Sequence, residues 1–393
     1  MSRLLDENPG IGGDDPLDTR FGHVRLGPDA AHRAWKFDRR LALGLSPTPV
    51  LGLFVLLVGV ALGPHGLSLL SPSVLSYLDP AASVALAALG VLVGLGLDVR
   101  RPREGRLLAA ASLEAGLTML IVGAGVLLML SLWPAPAGLA PWLLALMLGI
   151  CASASATTAT DASEESRAPA TRIGDLDDVL PIVIGGLALA WIREGSPGAA
   201  VWLAVQASVV ALMIALAAWL LVTQASSDSE QRVFALGSLL LLGGAAEYLS
   251  LSALLAGFVA GVCWTLASGP ACDHIRRDVY HAQHPLVVLL LVIAGARVDF
   301  TPLLTGLVVV YLVLRITGKV AGGWLVRRII ASDLPSHVGL RLMSPGVVGV
   351  AFALNVLQAA GSERVALVLA VAVAGSLGSE LFSLLVRPRE KLV

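Results

Sequence analysis

The sequence predicts an all-α membrane protein with about 12 transmembrane helices. Of its 393 residues, 56% are hydrophobic and only 14% are charged, and the mean hydropathy is +0.82. Such a composition is typical of a polytopic membrane protein rather than of a water-soluble domain. The apolar runs are each close to the roughly 20 residues with which a helix crosses a bilayer.

The predicted elements follow one another with short polar connections. Residues 1–44 are expected to form a cytosolic tail, and 30–43 either lie on the membrane surface or act as a basic flank that sets the topology. The first six spans are the apolar runs 48–63, 80–98, 107–133, 141–160, 174–192 and 198–223. The other six are the apolar runs 232–249, 251–268, 285–300, 303–326, 338–359 and 364–386.

Basic residues in the connections test this count, because short cytoplasmic loops collect arginine and lysine. One set of loops holds Arg100, Arg101, Arg103, Arg106, Arg167, Arg172, Arg232, Arg276, Arg277, Arg327, Arg328, Arg387, Arg389 and Lys391. The opposite set holds only Arg193, Arg297 and Arg364. This alternation predicts an even number of spans with both termini in the cytoplasm.

Charged residues inside the apolar runs are candidate functional residues, because ionisable groups are costly within a membrane. Asp177 and Asp178 stand side by side at the head of the fifth run, and Lys319 lies within the tenth. Adjacent helical residues point about 100 degrees apart, so one aspartate can meet Lys319 while the other faces a water-filled cavity. This combination indicates ion or proton transport. A structural ion pair without a transport role is the alternative.

Two further acidic residues lie in apolar runs. Glu114, in the third run, and Glu380, in the twelfth, each have two interpretations: a pair with Arg315, or a place at the cytoplasmic entrance. For Glu380 we expect a helix-end position that faces interfacial water.

Two runs carry signs of a broken helix, a feature that transporters place at their ion sites. The fourth contains the hydroxyl-rich stretch 151–160, and the eleventh contains Ser344, Pro345 and Gly346. Proline removes a backbone donor and glycine relaxes the helix, which frees carbonyl groups. Close packing of small residues and an ordinary proline kink are the alternatives.

The sequence argues against an enzyme or an ATP-driven pump. It has no Walker-type phosphate loop, no His-Glu-x-x-His zinc motif and no Gly-x-Ser-x-Gly nucleophile elbow. Its cysteines, Cys151, Cys263 and Cys272, have no metal-type spacing, and no resident cofactor is expected. A cation channel would need repeated filter loops, which are also lacking.

In their order along the chain, several motifs resemble the cation/proton antiporter superfamily, in particular electrogenic sodium/proton antiporters with a double aspartate. They are the runs 49–64 and 89–97, Asp177-Asp178-Val179-Leu180, the run 246–261, and Gly318-Lys319. The resemblance implies two inverted five-helix repeats, at 45–192 and 251–393, joined by 193–250, with broken helices four and eleven crossing near the site. It also implies a homodimer in the plasma membrane that contributes to pH homeostasis.

The resemblance also assigns roles. Asp178 is implied to bind the ion and carry the proton, with Asp177 as its partner, and these two are the expected ligands of transported Na⁺ or Li⁺. Lys319 is implied to pair with Asp177, while Ser153, Ser155 and Thr157 line the site. Accessory residues are expected to be Asp175, Arg315, Glu114, Pro345 and Gly346.

Four departures from the family pattern stand out. The interval before Asp177 is short and acidic, with Asp161, Glu164, Glu165 and Asp175. Ser344-Pro345-Gly346 replaces the commoner Pro-Arg-Gly-Glu type of run. Arg297 stands at an apolar position and is expected to pair with Asp299, and Arg315 adds a charge one turn before Lys319.

The charges in the apolar runs, together with the resemblance, predict an antiporter that exchanges protons for sodium, lithium or potassium. A sodium-coupled organic-anion symporter of related fold is the alternative.

Overall fold

A computed structural model describes residues 49–97, 104–132, 140–155, 172–267, 269–299, 302–330, 338–360 and 363–386. Within these ranges all the regular structure is helical, apart from one isolated β-bridge. The predicted cytosolic tail lies outside the described residues, as do Thr157 and the acidic residues Asp161, Glu164 and Glu165.

The helices are numbered here in chain order. The first seven are α1 (Pro49–Leu62), α2 (Pro72–Tyr77), α3 (Asp79–Gly96), α4 (Glu104–Leu132), α5 (Pro141–Ser153), α6 (Val179–Glu194) and α7 (Pro197–Gln224). The next seven are α8 (Asp228–Tyr248), α9 (Ala253–Ala267), α10 (Pro270–Ala296), α11 (Pro302–Ile329), α12 (Val338–Arg341), α13 (Val347–Ala360) and α14 (Glu363–Val386).

Each predicted span overlaps one of these helices. By length and composition, six stretches of the described residues are long and apolar enough to cross a membrane: Asp79–Gly96, Glu104–Leu132, Pro197–Gln224, Cys272–Ala296, Thr305–Ile329 and Val365–Ser383. Four shorter apolar helices are Gly52–Leu62, Pro141–Ser153, Ala253–Ala267 and Val347–Ala360. The protein therefore has several apolar helices, as expected of a multi-pass membrane protein.

The start predicted for the ninth span is wrong, because α10 begins at Pro270 rather than near 285. Its first half is polar in sequence, so the hydropathy pattern conceals it. One face is nevertheless buried through Ile275 and Val279, and the Arg276 guanidinium donates to the Leu95 carbonyl oxygen at 2.6 Å. Pro285, where the apolar run begins, lies inside the helix instead of starting it.

The fifth predicted span, 174–192, is interrupted at the double aspartate. A helical turn at 172–176 gives way to a non-helical turn at Asp177 and Asp178, and α6 then begins at Val179. Pro181 has no amide hydrogen to donate to the carbonyl of Asp177, which accounts for a break in the helical hydrogen bonds at this point. The two carboxyl groups thus lie at the N-terminal end of α6.

The fourth and eleventh predicted spans are interrupted as well, and their extended parts meet. Helix α5 ends at Ser153, α13 begins at Val347, and Ser155 forms an antiparallel β-bridge with Pro345. A Cβ atom on Gly346 would lie 3.1 Å from backbone atoms of Ser155, a tight contact that glycine avoids. We call this meeting point the crossing.

Small residues set the distance between the helices that surround the crossing. Where α3 packs on α9, a Cβ atom on Gly257 would lie 1.9 Å from the Ala87 carbonyl oxygen. Where α4 packs on α11, Cβ atoms on Gly318 and Gly322 would each lie 3.0 Å from atoms of Thr118 and Glu114, respectively. The backbones of α4 and α11 are therefore close enough for Glu114 to reach Lys319.

Candidate functional site

The fully buried Lys319 lies at the centre of the candidate site. Its Nζ donates to the Ser153 carbonyl oxygen at 2.6 Å, to Glu114 Oε2 at 3.1 Å and to Asp177 Oδ2 at 3.4 Å. The three acceptors come from α5, α4 and the turn before α6. An ammonium group has three hydrogens to donate, so these contacts satisfy it completely. The expected contact between Asp177 and Lys319 is present.

Asp177 is held by the Ser155 side of the crossing. The hydroxyl of Ser155 donates to the same Oδ2 atom that contacts Lys319, and Ser155 is itself bridged to Pro345. Oδ1 of Asp177 is buried and has no hydrogen-bond partner among the described residues. Within the described ranges, only one of the two carboxyl oxygens of Asp177 is therefore hydrogen-bonded. Its bond from Ser155 depends on the extended backbone of the crossing, which places the Ser155 hydroxyl beside it.

Asp178 differs from Asp177 in having no ion pair among the described residues. It is 2% exposed, and its Oδ1 has no hydrogen-bond partner within the described ranges. Lys319 and Arg315 are near enough to act on it electrostatically, but neither contacts it as a salt bridge. An unsatisfied carboxylate is strongly disfavoured at a buried position, so Asp178 is suited to bind a proton or a cation.

Arg315 and Lys319 together satisfy the C-terminal end of α5. The Arg315 guanidinium donates to the Ala154 carbonyl oxygen at 2.9 Å, and Lys319 donates to the preceding carbonyl, that of Ser153. The last carbonyls of a helix lack partners within the helix and carry partial negative charge. Two cations one turn apart on α11 therefore stabilise the interruption of α5.

Glu114 is the partner of Lys319 that the sequence did not assign. Its Oε1 accepts a hydrogen bond from Thr118 at 3.1 Å, and its Oε2 contacts Lys319. The expected alternatives, a pair with Arg315 or a place at the cytoplasmic entrance, do not describe this fully buried position. The signal in the sequence was a lone acid in an apolar run, but its partner depends on the packing of α4 against α11.

Several sequence expectations need correction. Glu380 does not face interfacial water, because it is buried and accepts a hydrogen bond from Ser344 at 2.7 Å. Arg297 pairs with Asp79 rather than with Asp299, which instead contacts His65.

Other expected site residues contribute differently from the way the sequence indicated. Ser153 contributes its carbonyl group to the site, since its hydroxyl donates to Ile150 in its own helix. Asp175 lies 3.9 Å from Arg172 and is part of a polar group outside the Lys319 contacts.

The charges at the site do not balance. Asp177, Asp178 and Glu114 are buried together with Lys319 and Arg315. If all of them ionise, one negative charge has no counter-charge among the described residues. One bound proton or one monovalent cation would restore neutrality, and both would be drawn to the same place. Within the described ranges, no three His, Cys, Asp or Glu side chains group as ligands of a metal ion.

Comparison with known proteins gives the fold. No protein-family model and no curated protein matches the sequence. Among solved structures, the chain resembles the sodium proton antiporter MjNhaP1 from Methanocaldococcus jannaschii at pH 8, with a TM-score of 0.62 and 17% sequence identity. The match covers 84% of this chain and 91% of that chain. The chain therefore has the fold of a sodium/proton antiporter.

Proposed function

We propose that this chain is a secondary active antiporter of the cation/proton antiporter superfamily. It exchanges protons for a monovalent cation, and sodium is the first expectation. The observation that carries the proposal is Asp178, a buried carboxyl group that forms no ion pair within the described ranges. It is the sequence neighbour of Asp177, which accepts a hydrogen bond from Ser155 at the crossing. The likeness of fold to a sodium/proton antiporter supports it.

The proposed mechanism is competition for one negative charge. A proton on Asp178 neutralises the site, and a sodium ion coordinated by Asp178, with Asp177 beside it, does the same. The two therefore exclude each other. If the site opens to one side of the membrane at a time, competition couples the inward flow of one ion to the outward flow of the other. Because protons compete less well as their concentration falls, cation binding should strengthen as pH rises.

The wider proposal follows the same family pattern. All twelve predicted spans cross the membrane, both termini are cytoplasmic, and the chain acts as a homodimer built on two inverted repeats. The alternation of basic residues between the two sets of loops supports the orientation. The activity is transport rather than catalysis, and it needs no resident cofactor. Lithium and potassium are the other candidate cations.

Exchange in proteoliposomes tests the proposal. Purified protein is reconstituted with a pH-sensitive dye inside, and sodium, lithium and potassium are added separately. We expect at least one cation to drive proton movement in the wild type. We expect that movement to be lost in Asp178→Asn, which keeps the size of the side chain and removes its charge.

The matched control is Asp228→Asn, an equivalent change at an exposed position in the first turn of α8. This variant should transport like the wild type. Normal exchange by Asp178→Asn would reject the site assignment, and no response of the wild type to any of the three cations would reject the function.

A further inference from the structure

Glu380 is a buried carboxyl group that exchange at Asp178 does not use. It lies near the C-terminal end of α14 and is 2% exposed. The Ser344 hydroxyl donates to its Oε2 at 2.7 Å, whereas its Oε1 is buried without a hydrogen-bond partner in the described part of the chain. A single hydrogen bond from a neutral hydroxyl offsets only a small part of the free energy needed to bury a negative charge. The charged form of Glu380 is therefore disfavoured at this position.

The helices that pack against α14 do not supply the missing counter-charge. They are α1, α5, α10, α11 and α13. Neither α1 nor α13 carries a titratable side chain, and α10 carries its titratable side chains before Pro285. Cys151 is the titratable residue of α5. None of these helices forms an ion pair with Glu380 among the described residues.

Helix α11 brings several candidate groups to α14, and none of them forms a hydrogen bond or ion pair with Glu380 within the described ranges. The Tyr311 hydroxyl and the Arg315 Nε are themselves buried without a hydrogen-bond partner among the described residues. Tyr311 packs against Gly375, where a Cβ atom would lie 2.3 Å from the tyrosine ring. Arg315, one turn further on, donates to the Ala154 carbonyl oxygen, and Lys319 is satisfied by its three acceptors. A proton is therefore the simplest source of neutrality for Glu380.

A continuous series of contacts joins Glu380 to the transport site. Glu380 accepts from Ser344, the residue before Pro345, and Pro345 is bridged to Ser155. The Ser155 hydroxyl donates to Asp177. The extended segment 344–346 is thus linked directly to Glu380 and, through Ser155, to Asp177. A change in the charge of Glu380 alters its hydrogen bond from Ser344, and a change in the charge of Asp177 alters its hydrogen bond from Ser155, because bonds to charged acceptors are shorter and stronger.

We propose that Glu380 is a second proton-binding carboxyl group, coupled to the Asp177 and Lys319 pair through the crossing. The proposal deepens the proposed function and rests on it for its meaning in transport. The neutral form keeps an ordinary hydrogen bond from Ser344. Loss of the proton gives a carboxylate that pulls Ser344 more strongly, and the crossing transmits that change to Ser155.

Infrared difference spectroscopy tests proton binding without any transport. Purified Asp178→Asn protein, in which the main candidate carboxyl group is absent, is measured between low and high pH. We expect one carboxyl C=O band to disappear when Glu380→Gln is added. The matched control, Glu194→Gln at the exposed C-terminal end of α6, should leave that band in place.

The Ser344 hydrogen bond gives a second spectroscopic readout. Ser344→Ala in the Asp178→Asn background should move the same band to a different frequency, because the carboxyl group loses its donor. A merely structural role for Glu380 would not produce this shift. Identical spectra with and without Glu380→Gln would overturn the proposal.

The coupling is tested by transport in single variants. Glu380→Gln should still exchange ions, but the pH at which exchange is half-maximal should shift, while Glu194→Gln should keep the wild-type profile. An unchanged profile in Glu380→Gln would overturn the coupling. A wild type that exchanges nothing would reject the proposed function and leave the infrared result standing, so the two failures are distinguishable.

Discussion

Lys319 is satisfied by groups from three separate elements, so its removal affects more than one residue. Without its ammonium group, Asp177 and Glu114 are left as buried acids and the Ser153 carbonyl loses its donor. Breaking a buried ion pair by removing one partner typically costs about 3 to 5 kcal/mol, because the remaining charge is uncompensated.

We therefore expect Lys319→Ala to lower the stability of the protein strongly. Adding Asp177→Asn should recover part of the loss, since one stranded acid is then removed. Adding Glu114→Gln instead should recover a similar part, because Glu114 is the closer carboxyl group. Thermal unfolding in detergent would measure both double-mutant cycles. Strictly additive losses would show that the groups do not interact directly.

Charge alone marks some of the candidate site residues in the sequence, and their roles stay predictions. Asp177, Asp178 and Lys319 stood out because each interrupts an apolar run. Their partners did not, because Glu114 reaches Lys319 only through the close packing of α4 on α11. Glu380 was assigned to the interface from its place near the end of a run, although packing against Ser344 buries it.

At the scale of whole helices, the contact between α3 and α9 depends on the absence of side chains. Gly90 and Gly94 face Gly257 and Gly261, and a Cβ atom at any of these positions would lie within 2.4 Å of a backbone oxygen on the other helix. Neither backbone can give way locally, so added atoms must separate the helices. This contact is a fixed part of the frame around the crossing.

Gly257→Ala should therefore destabilise the protein, by about 1 to 3 kcal/mol on the scale of overpacked cores. Gly237→Ala is the matched control, because Gly237 lies within α8 with no atom within 4 Å of its added Cβ. That change should be neutral or slightly stabilising, since alanine favours helix. Thermal unfolding would compare the melting temperatures of the two variants, and we expect that of Gly257→Ala to be the lower. Equal melting temperatures would contradict the packing argument.

The sequence predicted the helices better than their ends. Apolar runs predict each helix except the short α2, which lies between two predicted spans. They do not predict the polar first half of α10, because hydropathy does not register a face buried by only a few residues. The apolar run also does not predict the break at Asp177 and Asp178, although Pro181 gives its cause. The breaks beside Ser155 and Pro345 were expected, because proline, glycine and hydroxyl residues cluster there.

For the molecule as a whole, the fold resembles that of MjNhaP1 far more closely than the sequence does. The chain has 17% identity to MjNhaP1 with a TM-score of 0.62, and many apolar residues can fill the same helical positions. Packing in a membrane constrains size and small-residue contacts more than residue identity. The likeness of fold therefore does not determine how many protons the proposed antiporter exchanges for each cation. That number depends on the charged residues of this chain.

We expect that exchange to be electrogenic. Competition at Asp178 alone exchanges one proton for each monovalent cation. We expect the pair of Asp177 with Lys319 to release a second proton when the cation binds, so that two protons leave for each cation. An imposed membrane potential should then drive exchange in proteoliposomes, and a voltage-sensitive dye should report the charge movement. Replacing Lys319 by a neutral residue should weaken the response to potential. Wild-type exchange that ignores the potential would indicate one proton for each cation.

The two cations of α11 also have a mechanical consequence. Arg315 and Lys319, one turn apart, grip two successive carbonyl groups at the end of α5. A single attachment would act as a pivot, whereas two attachments resist both sliding and twisting. We therefore expect the end of α5 and this part of α11 to move as one rigid unit. A conformational change that opens the site to one side of the membrane or the other would then take place at other helix–helix interfaces.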